Sequence, residues 1–259
     1  MYPYMYFILP SYVVMAFIGV FFAVLLLYFR LRKFTIEFSD YMKLLPICGV
    51  CAFIGARALF ILTQLRELFQ TFSLHTLMVL VFQGGLVYYG GLFGTLSGMC
   101  IYVIKTKKNK LTDLYNLVAP AIPLFHGFGR IGCFMSGCCY GRELKNVWNL
   151  GSYIQFTRIP TQLIEAAFEF LLFAVLLFAE KKAKNLLGIY LVFYGSFRFV
   201  IEFYRGDAIR GIYGGLSTAQ WISIIVLIYY GWKYLKTVNI LKGRKQKVKS
   251  VKGRGSFGT

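Results

Sequence analysis

Tyr12 to Phe29 reads YVVMAFIGVFFAVLLLYF, and Arg30 to Lys33 follows at once with RLRK. The block carries no charged side chain and is long enough, at about 1.5 Å of rise per residue, to cross most of a ~30 Å hydrocarbon layer. No basic segment precedes it and no small-x-small cleavage signature follows it, so it is read as a retained membrane span rather than a signal peptide. The rest of the chain agrees: its 259 residues are 58% hydrophobic and only 15% charged, with a mean hydropathy of +0.63, too apolar for a soluble domain. A net charge of +19 would point to nucleic acid in a soluble protein. Here the basic residues sit in short runs between apolar blocks, a pattern that addresses anionic lipid and membrane topology and excludes nucleic acid as the partner.

Working outward, apolar blocks of membrane length recur at Tyr12–Phe29, Leu44–Leu62, Leu86–Ile104, Leu114–Phe128, Leu163–Ala179, Leu186–Tyr204 and Ala219–Tyr234. They predict an all-α integral membrane protein with seven transmembrane helices, the fourth broken by Pro120 and Pro123. Basic runs follow the first span (RLRK), the third (KTKKNK), the fifth (EKKAKN) and the seventh (KGRKQKVKSVKGR). An odd number of crossings puts all four on one face, which the positive-inside rule makes cytoplasmic, with the N-terminus outside and the C-terminus inside. The expected organisation is one transmembrane domain, residues 1–238, and a basic cytoplasmic tail, 239–259. External segments at about 63–83 and 142–161 are read as an interfacial helix containing FSLHTLMVLVF and a small cap.

Charge inside the spans is where chemistry is expected. Arg57 and Arg198 fall within apolar blocks and Arg130 at the outer end of the broken fourth span, and a mid-span arginine costs about 2.5–3.5 kcal/mol on insertion scales, so each should face an interior or a wet cavity. With few acids read as available to neutralise them, the three predict an anion-binding chamber. Tyr194, Arg198, Glu202 and Arg205 are spaced by four, four and three, so they share one helical stripe on which Glu202 can bridge both arginines. His126 to Gly141, HGFGRIGCFMSGCCYG, is expected to form an irregular glycine loop walling the chamber, its freed amides donating to an anion. A second cluster, FQGGLVYYGGLFG at Phe82–Gly94, places Gln83, Tyr88 and Tyr89 at the same outer face, with close helix packing as its other reading. The thiols of Cys133, Cys138 and Cys139, like those of Cys48 and Cys51, are read as small packing residues, since adjacent cysteines make poor tetrahedral ligands. No metal and no cofactor is expected.

In this order, IGAR (Ile54–Arg57), QGGLVYYGG, GRIGCFMSGCCYGR (Gly129–Arg142), PTQLIEA (Pro160–Ala166), YGSFRFVIEFYR (Tyr194–Arg205) and AQWISI resemble the prolipoprotein diacylglyceryl transferase family. The resemblance implies a multi-pass enzyme of the bacterial plasma membrane. It would move the diacylglyceryl group of phosphatidylglycerol onto the lipobox cysteine of a preprolipoprotein, forming a thioether and releasing glycerol phosphate. It implies catalytic roles for Arg130 and Arg198 around the phosphate and for Glu202; beside it, Tyr89 is read as orienting the phosphate by hydrogen bonding, and His126, four residues before Arg130 and on the same face, as a candidate base. Arg57, Gln83, Tyr88, Gly90 and Gly91 would bind substrate, together with Gly132, Cys133, Gly137, Gly141, Gln162, Tyr194 and Arg205. The pattern also departs from the family: Tyr89 stands where a histidine is usual, Cys133 and Ser136 replace asparagines, and Cys138 replaces an acid. A strongly positive chamber is expected to ionise the attacking thiol, whose reference pKa is about 8.5, in place of that histidine. The alternatives are a divergent homologue using another acceptor, a non-catalytic lipid-binding protein, and a thiol redox or metal-binding membrane protein.

Overall fold

The structure is a computed structural model; it describes residues 4–236 apart from 6–8, 35, 65–72, 74–77, 79–84, 109, 151–153, 184, 207–211 and 234. Helices dominate: α1 (Ser11–Arg30), α2 (Phe38–Thr63), α3 (Tyr88–Thr106), α4 (Leu111–Val118), α5 (Ala121–Ser136), α6 (Thr161–Ala179), α7 (Leu186–Ile201) and α8 (218–233). Among the described residues five helical runs are long and apolar enough to cross a membrane: Ser11–Phe34, Phe38–Thr63, Leu111–Ser136, Thr161–Ala179 and Leu186–Tyr204. Helices α3 and α8 cover the two remaining apolar blocks. The molecule is inside-out relative to a soluble protein. Phe17 is 71% exposed and Phe178 81%, whereas Arg130, Glu165, Glu169, Arg198 and Glu202 are buried. That distribution suits a hydrocarbon solvent, in which aliphatic side chains lose nothing by facing outward and polar ones must find partners within the protein.

Small residues set the tightest helix contact. Gly55 of α2 and Gly90 of α3 lie so close that a Cβ on either would strike the other's carbonyl oxygen, and Gly94 meets the Cys51 carbonyl in the same way. The span-three glycine cluster therefore brings two helices together, and Gly90, expected at the substrate, is occupied by this seam.

The fourth span is broken where its prolines require. Pro120 has no N–H for the carbonyl four residues earlier, that of Asn116. The vacancy is filled from α1: Arg30 Nη2 donates to the Asn116 carbonyl at 3.0 Å and Nε to Leu117 at 3.2 Å, while the guanidinium pairs with Glu180 at 2.7 Å. Beyond the break the expected irregular loop is absent. His126 to Ser136 continues as helix α5, since its glycines serve neighbours: a Cβ at Gly127 would meet the Phe170 ring at 2.9 Å and one at Gly132 would meet Met15 and Tyr12 at 3.1 Å. Irregular backbone begins only at Gly137, whose φ of 72° ends the helix in the left-handed conformation that glycine adopts without strain.

The segment expected outside the membrane at about 142–161 forms an antiparallel hairpin, β3 (Glu143–Leu150) with β4 (Ile154–Arg158), in register Glu143 to Arg158 and Trp148 to Phe156. Two shorter hairpins, β1 (Tyr4–Met5) with β2 (Leu9–Pro10) and β5 (Ile212–Tyr213) with β6 (Leu216–Ser217), complete the strands seen. The expected interfacial helix, with Gln83, and the basic tail from 239 lie outside the described residues, save for Thr63, Gln64, Ser73 and Met78 of the former.

Candidate active site

Helix α6 supplies the centre. Glu165, Glu169, Leu172 and Leu176 recur at steps of four, three and four, so they occupy one face, and all four are buried. Glu165 stands between two arginines from different helices. Its Oε1 accepts from Arg198 Nη1 of α7, and its Oε2 forms an ion pair with Arg130 Nε of α5. Arg198 Nη2 also reaches Glu202 Oε2 at 2.6 Å, one helical turn on. Helix α7 stops at Ile201 and Glu202–Tyr204 form a 3₁₀ turn, so Arg205 leaves the expected stripe on extended backbone. Its chain there bridges to Gly141.

A second chain of bonds leads away from Arg130. Its Nε donates to His126 Nε2 at 3.1 Å, and His126 Nδ1 lies 2.7 Å from Glu169 Oε1. Because Nε2 must accept from a guanidinium, the network assigns the ring proton to Nδ1, which donates to Glu169. Among the described residues, the hydrogen bond and ion pair of Arg130 are both made through Nε. The imidazole is clamped by aromatic rings: Tyr88 stacks on it with centroids 3.7 Å apart, and Tyr194 meets it edge-on at 5.4 Å. The hydroxyl of Tyr88 bonds that of Tyr190.

Four sequence expectations change. The chamber is not strongly positive, because Glu165 and Glu202 balance Arg130 and Arg198; a field of unpaired arginines cannot be what ionises a thiol here. Arg57 donates to the Gly85 carbonyl at 3.2 Å, with its guanidinium over Phe53, so the arginines that meet on Glu165 are two, not three. Tyr89 lies 2.9 Å from Ser223, whose own proton goes to the Ala219 carbonyl; Tyr89 therefore donates to Ser223. Its hydroxyl proton is thus committed to α8 and not to a phosphate. Gln162 donates from Nε2 to the Cys138 carbonyl at 2.7 Å, which makes it a brace for the loop after α5.

That loop also gathers the thiols. The Sγ atoms of Cys133, Cys138 and Cys139 lie within 4.8 Å of one another, although 138 and 139 are adjacent in sequence, and they are the group among the described residues placed to hold a metal ion. The Cys139 thiol is held well below the ordinary thiol range, first by hydrogen bonds with Cys133 and Cys138 and further by the guanidiniums of Arg130 and Arg205. Gly141 packs under the same loop, its N–H on the Ile159 carbonyl at 3.0 Å.

Glu165 and Glu169, which organise this site, were missed by the sequence reading. Their signal was available: two acids four residues apart inside an apolar span are costly unless they face partners.

A family model described as prolipoprotein diacylglyceryl transferase matches residues 4–235. The chain belongs to the prolipoprotein diacylglyceryl transferase family. Among curated relatives, phosphatidylglycerol–prolipoprotein diacylglyceryl transferase 2 of Clostridium perfringens is 36% identical over 208 residues, covering 76% of this chain and 78% of that protein. The phosphatidylglycerol–prolipoprotein diacylglyceryl transferase of Clostridium tetani is 32% identical over 226 residues, covering 82% and 86%. The matched region of the family model spans every helix described above, so both the Arg130–Glu165–Arg198 bridge and the thiol loop lie within a prolipoprotein diacylglyceryl transferase domain.

Proposed function

We propose that this membrane transferase moves the diacylglyceryl group of phosphatidylglycerol to the lipobox cysteine of a preprolipoprotein. The observation that carries the reading is the pair of buried guanidiniums, Arg130 and Arg198, held a fixed distance apart by one carboxylate. Each guanidinium has five donors; Glu165, Glu202 and His126 take some and leave others to hold phosphate oxygens. In the step itself the cysteine sulfur attacks the glyceryl carbon, an S–C bond forms, and the C–O bond to phosphate breaks with its electron pair on the phosphate oxygen. The thiol proton is lost to solvent. Donors aimed at the phosphate stabilise charge that grows as that bond breaks, which is the term that lowers the barrier most.

Glu165 and Glu202 orient the guanidiniums, and Glu169 fixes His126 beside Arg130. Among the described residues His126 is thereby the imidazole at the phosphate site, in a chain that has tyrosine at the usual histidine position.

The reading includes seven spans in the plasma membrane with the N-terminus outside. What supports it is that separate basic runs converge on acids: Lys33 pairs with Glu180 at 2.7 Å and Lys108 approaches Asp40 at 3.9 Å. A second reading, lipid binding without transfer, draws on Tyr89, whose hydroxyl is occupied by Ser223. Purified protein incubated with phosphatidylglycerol and a lipobox peptide separates the two. A diacylglyceryl mass increment on the peptide cysteine with released glycerol phosphate is expected; bound lipid without either product selects the second reading.

A further inference from the structure

The balanced chamber leaves a question that the arginines do not answer: what presents the attacking thiolate. The thiol loop has the features of a built site. Cys133 sits in the last turn of α5, three residues after Arg130 and on the same side of the helix, so whatever its sulfur binds is next to the arginine bridge. The two following thiols are placed by pinned backbone. Gly137 turns the chain, the Cys138 N–H returns to the Cys133 carbonyl at 3.1 Å, and the fully buried side chains of Gln162 and Thr161 grip the carbonyls of Cys138 and Cys139 at 2.7 and 3.0 Å.

Cys139 itself has a φ of 60°, a conformation that costs a non-glycine residue about 1 kcal/mol or more and persists only where the surroundings impose it. That turn folds Cys139 Sγ back toward Cys133 and Cys138, undoing the divergence expected of neighbouring residues. A packing role would not need three sulfurs drawn together in this way.

We propose that Cys133, Cys138 and Cys139 bind one zinc ion whose fourth position takes the sulfur of the substrate cysteine. Zinc–thiolate bonds of about 2.3 Å in a tetrahedron set sulfurs about 3.8 Å apart, so thiols already within 4.8 Å close on the ion with small side-chain movements. Three protein ligands and one open position is the arrangement of catalytic zinc, and coordination deprotonates a thiol outright. The ion would thus do for the nucleophile what the absent histidine cannot, and what two arginines already paired with acids cannot. Three thiolates on zinc carry one net negative charge, for which Arg130 is the adjacent countercharge. The sulfur attacks while bound; the S–C bond forms as the C–O bond breaks, the pair leaves on phosphate, and the neutral thioether, a weak ligand, departs from the metal. The inference rests on the transferase reading above.

Full-length protein in detergent is loaded with zinc or cobalt and desalted, and the retained metal is counted by mass spectrometry. About one ion per chain is expected, falling at least about tenfold in Cys133→Ser and Cys139→Ser but not in Cys100→Ser. On the unaltered chain, cobalt should show thiolate charge-transfer absorption that shifts on adding a lipobox peptide and does not shift with the serine version of that peptide. Stripping metal with a chelator should reduce transfer at least about tenfold and zinc should restore it. Full transfer by stripped protein, or cobalt without sulfur bands, overturns the zinc site and leaves the transferase reading standing. Metal bound with the peptide-induced shift, but no transfer under any loading, keeps the site and removes the transferase reading.

Discussion

Glu165 is the residue on which this site turns. A carboxylate buried with two guanidiniums is tolerable in a membrane interior only because all three are present, and removing one partner strands the others at a cost of about 3–5 kcal/mol. Glu165→Ala is therefore expected to lower stability by that order in thermal unfolding of the detergent-solubilised protein, and to abolish peptide lipidation. Arg198→Lys keeps the charge but loses the fork that reaches Glu165 and Glu202 together. It is expected to reduce transfer about a hundredfold while lipid still binds. His126→Ala removes an imidazole held by Arg130 and Glu169; lipidation in a complementation assay should fall, and unchanged lipidation would exclude the imidazole from the reaction. Tyr89→Phe, by contrast, deletes one hydrogen bond to Ser223, worth about 1 kcal/mol of stability, and should leave transfer intact.

Between helices, glycine and proline carry the information, and their neighbours decide its meaning. Gly90 and Gly129 are both helical glycines, yet a Cβ at Gly90 would overlap the Gly55 carbonyl while one at Gly129 meets nothing within 4 Å. Gly90→Ala should then separate α2 from α3 at about 1–3 kcal/mol, and Gly129→Ala should stabilise the protein by up to about 1 kcal/mol through helix propensity. Paired melting curves test both. Arg30 makes the same point about charge. In sequence it belongs to a topological run, RLRK, but the fold buries it on the Asn116 carbonyl that Pro120 frees and on that of Leu117. The glycines of HGFGRIGCFMSGCCYG predicted a loop because glycine is a poor helix former; tertiary packing against Phe170, Met15 and Tyr12 overrides that propensity at Gly127 and Gly132, and the helix runs on until Gly137.

For the molecule as a whole, the arrangement is governed by where polar groups can be satisfied. The exposed surface of α1 and α2 is aromatic and aliphatic, the ion pairs of Glu165 and Glu202 are internal, and lysines gather where Glu180 and Asp40 lie. In the proposed topology a reporter fused after residue 236 is active in the cytoplasm and one inserted at Lys145, in the β3–β4 hairpin, is active only outside. Activity of both on one face would refute seven crossings.

The apolar blocks, the proline break and the intramembrane arginines were legible in the amino-acid order because each is a local property: hydrocarbon length, a missing N–H, a charge where charge is costly. Which acid answers which arginine was not, since Glu165 meets Arg130 and Arg198 across 35 and 33 residues and only helix packing sets that meeting. Nor was the convergence of three thiols legible. In sequence Cys138 and Cys139 point apart as neighbours do; the left-handed turn at Cys139, held by Thr161 and Gln162 from another helix, brings their sulfurs together beside Arg130.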